Sequence, residues 1–468
     1  LGQVLPKLCN QGNDFIPKPA VQVFCFLEIS EFSLMSAIVQ TLSSILGSDA
    51  VVAWDSLDSG FQSQITQAVM PKTSIECVVY PATAAELAEL MTCVHRNRWR
   101  VLPCGNSSKL HWGGLAAGIQ IVISTARLNQ LEEHASGDLT VTAAAGMPLA
   151  DLQPILASAG QFLAVDPAYA DRATLGGIVA TADTGSGRQR YGGIRDMLIG
   201  LSFVRADGKM AKAGGRVVKN VAGYDLMKLL TGSYGTLGIL TQLTFRIYPL
   251  PAASQTVLLT GTADLIATAT AKILASVLTP TALDLLPPAT VSQFNLGAGM
   301  GLIARFQTID VSVAQQSEQV LQLGQALGLT ATSLEAAAET TLWQQLQAQI
   351  DAPPLNQAIT CKIGVEPSQA IAALSQISQT LPKSLGRIHA SSGLGIVQLP
   401  TESSEVLQTL RQFCQTQGGF LTVLSASPEL KQRLDPWGYS GNALPVMRRL
   451  KNQFDPEHLL SPHRFVGV

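Results

Sequence analysis

Residues 166–196 read DPAYADRATLGGIVATADTGSGRQRYGGIRD, and residues 214–249 read GGRVVKNVAGYDLMKLLTGSYGTLGILTQLTFRIYP. Two strand-like segments lie between them. Glycine clusters at Gly176-Gly177, Gly185 to Gly193, Gly214-Gly215 and Gly232 to Gly238 punctuate apolar, β-branched runs. Glycine at such breaks lets backbone come close to another body. Any one cluster also reads as a tight turn, but four in one short region point to a large cofactor. A doubly wound dinucleotide fold would need G-x-G-x-x-G between a strand and a helix, and the chain has neither that motif nor G-x-x-x-x-G-K-[ST].

The segments TLGGIVAT, RYGGIRD, KNVAGYDL and GSYGTLGILT resemble the FAD-binding domain of the vanillyl-alcohol oxidase/p-cresol methylhydroxylase (VAO/PCMH) family. Within that family, the unbroken KNVAGYDLMKLLTGSYGTLGILT most resembles the FAD-binding E subunits of glycolate oxidases (glycolate dehydrogenases). The resemblance implies an α+β protein: a two-subdomain VAO/PCMH-type FAD-binding domain plus an α/β cap domain of ferredoxin-like β-α-β units. It covers about residues 71–468 and is strongest over 166–250.

A chain of 468 residues exceeds what one core serves, so two or three domains are expected. A hydrophobic share of 47% against 14% charged residues suggests extensive burial and a partner surface, and a net charge of −2 leaves no basic footprint for nucleic acid. The cysteines at 9, 25, 77, 93, 104, 361 and 414 show no C-x-x-C spacing, so no iron–sulfur or zinc site is encoded and they read as reduced thiols of a cytoplasmic protein. If electrons leave a flavin here for a cluster, the cluster belongs to another subunit. No stretch has the roughly 20 uncharged apolar residues of a membrane helix; the run from Ala20 to Leu46 is broken by Glu28 and Glu31. Membrane association is therefore expected only through partners. A signal peptide fits poorly, and residues 1–34 read as a variable extension before an amphipathic helix from Met35.

The expected domains are an N-terminal extension and helical lead-in (1–70), the FAD-binding domain (71–250), the cap (251–425) and a C-terminal segment returning to the FAD domain (426–468). From Glu76 to Tyr80 a strand is expected, then a helix over AAELAELMTCVHRN opened by Thr83, and a second strand from Arg100 to Pro103. That strand runs into CGNSSKLHWGG, whose glycines and hydroxyls suit a diphosphate cradle. The resemblance assigns this loop, Pro103, Cys104, Gly105, Asn106, Ser107, Ser108 and Lys109, to the FAD diphosphate. Cys104, Asn106 and Ser107 depart from the Arg or Gly that relatives often carry. Ser108 stands where some relatives link the flavin covalently through histidine, so a non-covalent FAD is expected, with His111 as a nearby exception to watch. The resemblance further assigns Pro167, Thr174, Gly176, Gly177 and Thr181 to the flavin and diphosphate, and Gly192, Gly193, Gly238 and Ile239 to the ring system or adenosine.

Beyond Pro251 a β-α-β-β rhythm appears and recurs, from QTVLLTG through GLIARFQT and again from AITCKIGV to the helix ending near Gln417. Oxidation of a 2-hydroxy acid needs a cation for the carboxylate and a base for the hydroxyl proton. Catalytic relatives often supply these from a segment like H-x-G-D-G-N-x-H, but the corresponding RIHASSGLGIVQL keeps only His389, and no metal site is expected. His389 is the candidate base, Arg305 and Lys362 candidate carboxylate binders, and Lys219 a group that could approach the flavin. His463 has no assigned role. The resemblance implies an FAD-binding subunit of a glycolate dehydrogenase complex, supporting oxidation of glycolate or D-lactate to the 2-oxo acid, with a second flavoprotein subunit and an iron–sulfur subunit as partners. Two alternatives stay open: an autonomous FAD-dependent D-2-hydroxy-acid dehydrogenase using His389 and Arg305, and a flavin-free structural subunit.

Overall fold

A computed structural model of the chain describes residues 36–215, 224–351 and 358–466. The readings for residues 1–34 and for Lys219 lie outside the described residues. Strands β1 (Val51–Ala53), β2 (Cys77–Val79), β3 (Val101–Cys104) and β4 (Ile121–Ser124) form a first sheet in the order β1-β2-β4-β3. β2 and β3 run parallel to β4. The helix Ala84–Asn97 covers the residues its sequence predicts because both ends are chemically marked. Thr83 Oγ1 accepts the Glu86 N–H at 3.1 Å, Glu86 accepts the Ala82 N–H at 2.8 Å, and Arg98 leaves the helix with φ 57°. Its buried stripe is Leu87, Leu90, Met91 and Val94. The stretch read as a helical lead-in is partly sheet instead: Val51 to Ala53 pair with Val79 to Cys77.

A second, antiparallel sheet contains β5 (Leu131–Ala135) and β6 (Thr140–Ala144). After β7 (Gln161–Phe162), it continues with β8 (Leu198–Val204), β9 (Met210–Gly214) and β10 (Ile239–Arg246). The order is β5-β6-β10-β8-β9, while β7 pairs with β11 (Tyr248–Pro249). Leu175, Ile178 and Val179 of the helix Leu175–Thr181 share its core with Phe203, Leu243 and Phe245.

The third sheet holds eight strands. In chain order these are β12 (Ala253–Gly261), β13 (Ala282–Leu286), β14 (Met300–Thr308), β15 (Thr330–Glu335), β16 (Ile359–Gly364), β17 (Leu385–His389), β18 (Leu394–Leu399) and β19 (Phe420–Ser425). All pair antiparallel, in the order β15-β12-β14-β13-β17-β18-β16-β19. Successive strand residues point to opposite faces. Leu283, Leu285, Ile359, Cys361, Ile363, Ile388, Val397 and Leu399 accordingly enter one core with the helices Ala263–Leu274, Asp310–Ala326, Ala370–Thr380 and Ser404–Thr416. Asp284, Lys362, Arg387 and His389 take the other face.

Sequence periodicity leads to six of those strands but not to β15, β19 or the helix Ala336–Asp351. β15 is largely exposed and carries the polar TATSLE, so it lacks the apolar alternation that marks a half-buried strand. The chain then returns. The Val101 N–H donates to the Leu459 carbonyl at 2.8 Å and the Ser461 N–H to the Val101 carbonyl at 2.9 Å, laying the tail beside β3. The buried Lys451 ammonium locks it, donating to Asp455 at 2.6 Å and to the carbonyls of Thr236 and Leu460, both at 2.8 Å.

Candidate functional site

Two adjoining cavities carry the chemistry. The first is a cleft between the loop after β3, the start of the helix Leu175–Thr181, the turn before β10 and the C-terminal tail. Pro103 to Leu110, Thr174, Gly176, Gly177, Thr181, Gly238, Ile239, Tyr234 and Arg464 all line it. Backbone approach explains the glycines. A Cβ on Gly105 would stand 2.1 Å from Thr174 Oγ1, and one on Gly176 would stand 2.9 Å from the Ala145 carbonyl oxygen. Thr174 closes its helix by accepting the Gly177 N–H at 3.2 Å. Ser107 adopts φ 52°, and its buried hydroxyl has no hydrogen-bond partner among the described residues. The Arg464 guanidinium is 3% exposed; Nη2 donates to the Leu110 and Trp112 carbonyls, while Nη1 has no partner among the described residues. A buried donor costs about 1–3 kcal/mol when unsatisfied. An orphaned hydroxyl and an orphaned guanidinium nitrogen in a glycine-walled cleft fit an elongated anionic cofactor.

Lys109 and Arg464 line that cleft, and further cations stand beside the neighbouring His111. Burial, reinforced by Lys431, Arg464, Arg172 and Lys109, pushes His111 down to about 3, so it is neutral and meets the Tyr169 hydroxyl at 3.3 Å. Burial and Arg464 push Lys431 down to about 7; its ammonium donates to the His111 carbonyl at 2.5 Å. Burial brings Arg464 itself down to about 10.

The second cavity is a chamber with an inner volume of about 40 Å³ where the third sheet meets the flavin side. Asp166, Asp183, Arg188, Lys362, Arg387 and His389 line it. Lys109 joins the two cavities, since its ammonium lies in the wall of the cleft and donates to Asp183 at 2.9 Å. Asp166 accepts the backbone N–H groups of Ser186 at 2.8 Å and Gly187 at 3.1 Å. The Lys362 ammonium and the Arg188 guanidinium have no hydrogen-bond partner among the described residues, and burial pushes both below their ordinary values. Two half-buried cations without hydrogen bonds among the described residues, beside carboxylates engaged elsewhere, create a site for a small anion.

The candidate residues thus divide. Pro103 to Lys109, Thr174, Gly176, Gly177, Thr181, Gly238 and Ile239 converge on the cleft. Gly192 and Gly193 do not line it: they form the turn before the helix Ile194–Met197, where the Gly193 N–H donates to Asp196 at 2.8 Å. Pro167 is also outside the lining, and its carbonyl accepts Gln347 Nε2 at 2.9 Å. His389 and Lys362 meet in the chamber. Arg305 does not join them. It lies on the same side of the third sheet, but the helix Ala336–Asp351 covers that part and brings Glu339 to 2.9 Å from Arg305 Nε. His463 is exposed. Sequence reasoning missed Arg464, Arg188, Arg387 and Asp284. For Arg387 and Asp284 a signal existed, because each alternates with core leucines or isoleucines along a strand. Among the described residues, no three His, Cys, Asp or Glu side chains gather to hold a metal, and no helix is long and apolar enough to cross a membrane.

Comparison with known proteins agrees with this geometry. Residues 75–214 match the FAD binding domain family. Glycolate oxidase subunit GlcD of Bacillus subtilis is 25% identical over 415 residues, covering 83% of this chain and 88% of that one. Glycolate oxidase subunit GlcE of Escherichia coli is 44% identical over 118 residues, 25% of this chain and 34% of that protein. The structure of substrate-bound p-cresol methylhydroxylase superposes with a TM-score of 0.69 at 13% identity, covering 91% of this chain and 95% of that one. The α+β arrangement is therefore the VAO/PCMH-type fold that the glycine segments indicated, and the cofactor is FAD.

Proposed function

We propose that the chain oxidises glycolate, or a 2-hydroxy acid of similar size, to the 2-oxo acid as the FAD-binding subunit of a glycolate dehydrogenase complex. The observation that carries this reading is the chamber in which Lys362, Arg188 and His389 meet, one ion pair away from the cofactor cleft. Bound FAD, held without a covalent link, supplies the acceptor for the hydride leaving the hydroxyl-bearing carbon. Lys362 and Arg188 hold the substrate carboxylate, and the His389 imidazole takes the hydroxyl proton. Ser107 and Arg464 satisfy their free donors on the cofactor, and the Lys109–Asp183 pair braces the edge where the two cavities adjoin, leaving the substrate's hydroxyl-bearing carbon to face the flavin. The chamber's inner volume of about 40 Å³ is room for roughly three waters at about 10–15 Å³ each, which favours a small acid. This gives the chain a substrate site of its own, beyond the cofactor-carrying role that RIHASSGLGIVQL alone suggests.

The glycolate oxidase subunits among its relatives support a multi-subunit assembly. An iron–sulfur subunit is the electron acceptor we assign to it. The test is anaerobic addition of glycolate to the purified, FAD-loaded chain without partners. Loss of the oxidised flavin absorbance is the expected result. Persistent absorbance would return the chain to a cofactor-carrying role dependent on a second flavoprotein subunit.

A further inference from the structure

The base proposed in the chamber is not a lone histidine. His389 ends β17 and lies opposite Asp284 of β13, and its Nδ1 meets Asp284 Oδ1 at 2.7 Å. Asp284 is fully buried, with no exposed surface. Its second oxygen accepts the Ser186 hydroxyl, and the Arg387 guanidinium stands 3.8 Å away. Burial works to raise the Asp284 carboxyl, but His389, Arg387 and Ser186 together hold it below the usual range. The carboxylate therefore stays ionised and acts only as an acceptor.

We propose that Asp284 is the positioning residue of this site: it fixes His389 as the Nδ1–H tautomer, leaving Nε2 as the group that receives the substrate hydroxyl proton. An ionised carboxylate cannot donate to Nδ1, so the ring proton must lie there, and the same carboxylate stabilises the imidazolium once Nε2 is protonated. Asp284 gains no proton in the step. The arrangement also spans the molecule. Asp284 and His389 belong to the third sheet, whereas Ser186 belongs to the flavin side, where Asp166 holds its backbone. Docking of the two parts thus adds a second hold on the carboxylate that orients the base. The inference rests on the proposed 2-hydroxy-acid oxidation only for the identity of the proton donor.

The test joins nitrogen NMR of the histidine-labelled full chain with anaerobic flavin reduction. Loss of one signal in His389→Gln identifies the residue. The expected wild-type spectrum shows a protonated Nδ1 and a free Nε2, and Asp284→Asn moves the population toward the other tautomer. The limiting rate of flavin reduction should fall about 10²- to 10⁴-fold in Asp284→Asn, with little change in the half-saturating glycolate concentration. Ser186→Ala, which removes one hydroxyl and perturbs folding least, should lower that rate about three- to tenfold. An unchanged tautomer in a folded, FAD-retaining Asp284→Asn chain overturns the inference, as does an unchanged limiting rate. If wild-type chain shows the Nδ1–H tautomer and the variant shifts it while glycolate never reduces the flavin, the positioning role stands and the substrate assignment falls.

Discussion

The cofactor cleft and the proposed substrate chamber meet at the Lys109–Asp183 pair and are built in opposite ways. Backbone shapes most of the cleft: Gly105 and Gly238 come from loops and Gly176 and Gly177 from the first turn of the helix Leu175–Thr181, all in segments whose sequence marks them, and Cβ atoms on Gly105, Gly176 and Gly238 would collide with Thr174, Ala145 or Phe203. Charged side chains shape the chamber. Lys362 of β16 and Arg387 and His389 of β17 come from two strands of one sheet with β18 between them, while Arg188, Asp166 and Asp183 come from the flavin side. A backbone site demands particular residues in consecutive runs, because glycine is needed wherever chain meets ligand. A side-chain site demands only that a few groups converge, and a sheet can bring them from anywhere.

That contrast breaks most readily at the base. His389→Gln should leave FAD bound and slow its reduction by glycolate by about 10²- to 10⁴-fold, the usual contribution of a positioned general base; a rate within a factor of a few of wild type would strip the chamber of its chemistry. In the cleft, Arg464→Met should weaken FAD binding by about 10- to 100-fold, the worth of a charged hydrogen bond of about 1.5–3 kcal/mol. Fluorescence titration of the FAD-depleted chain measures it, and unchanged affinity would detach the tail from the cofactor.

Lys362→Met sharpens the same division. It should raise the half-saturating glycolate concentration about tenfold while FAD affinity holds, separating substrate binding from cofactor binding in stopped-flow reduction. The smallest effect concerns pH and stability. His111 has its proton affinity lowered from 6.5 to about 3 in the native chain. Below about pH 6.5 the unfolded chain binds a proton there that the folded chain refuses, so stability falls as pH drops toward 3. His111→Gln should flatten that decline in urea midpoints recorded between pH 7 and 4; an equal decline in both proteins would assign it to other groups.

Much of the fold was readable beforehand because its signals are local. The capped helix Ala84–Asn97 announces itself through Thr83 and Glu86, and the glycine segments from 166 onward point to a flavin domain. The helix Ala336–Asp351 gave no comparable signal. Its buried positions Glu339, Leu342, Leu346, Gln349 and Ile350 mix polar with apolar residues, so no clean amphipathic stripe identifies it. That omission misassigned Arg305, whose partner Glu339 sits on that helix. His389 was legible as a candidate, but its partner Asp284 lies 105 positions away.

The sequence by itself, through the resemblance its short glycine runs carry, indicated the cofactor, the fold class and the loop that lines the cleft, because each is written in short runs whose backbone demands admit few residues. Only the tertiary structure decided which charges matter. It left Lys362 and Arg188 without hydrogen-bond partners among the described residues, tied Arg305 to Glu339, and turned Arg464 of the tail into the cleft. The physical reason is that a buried charge takes its meaning from whatever neutralises it, and those partners come from elements far apart in the chain.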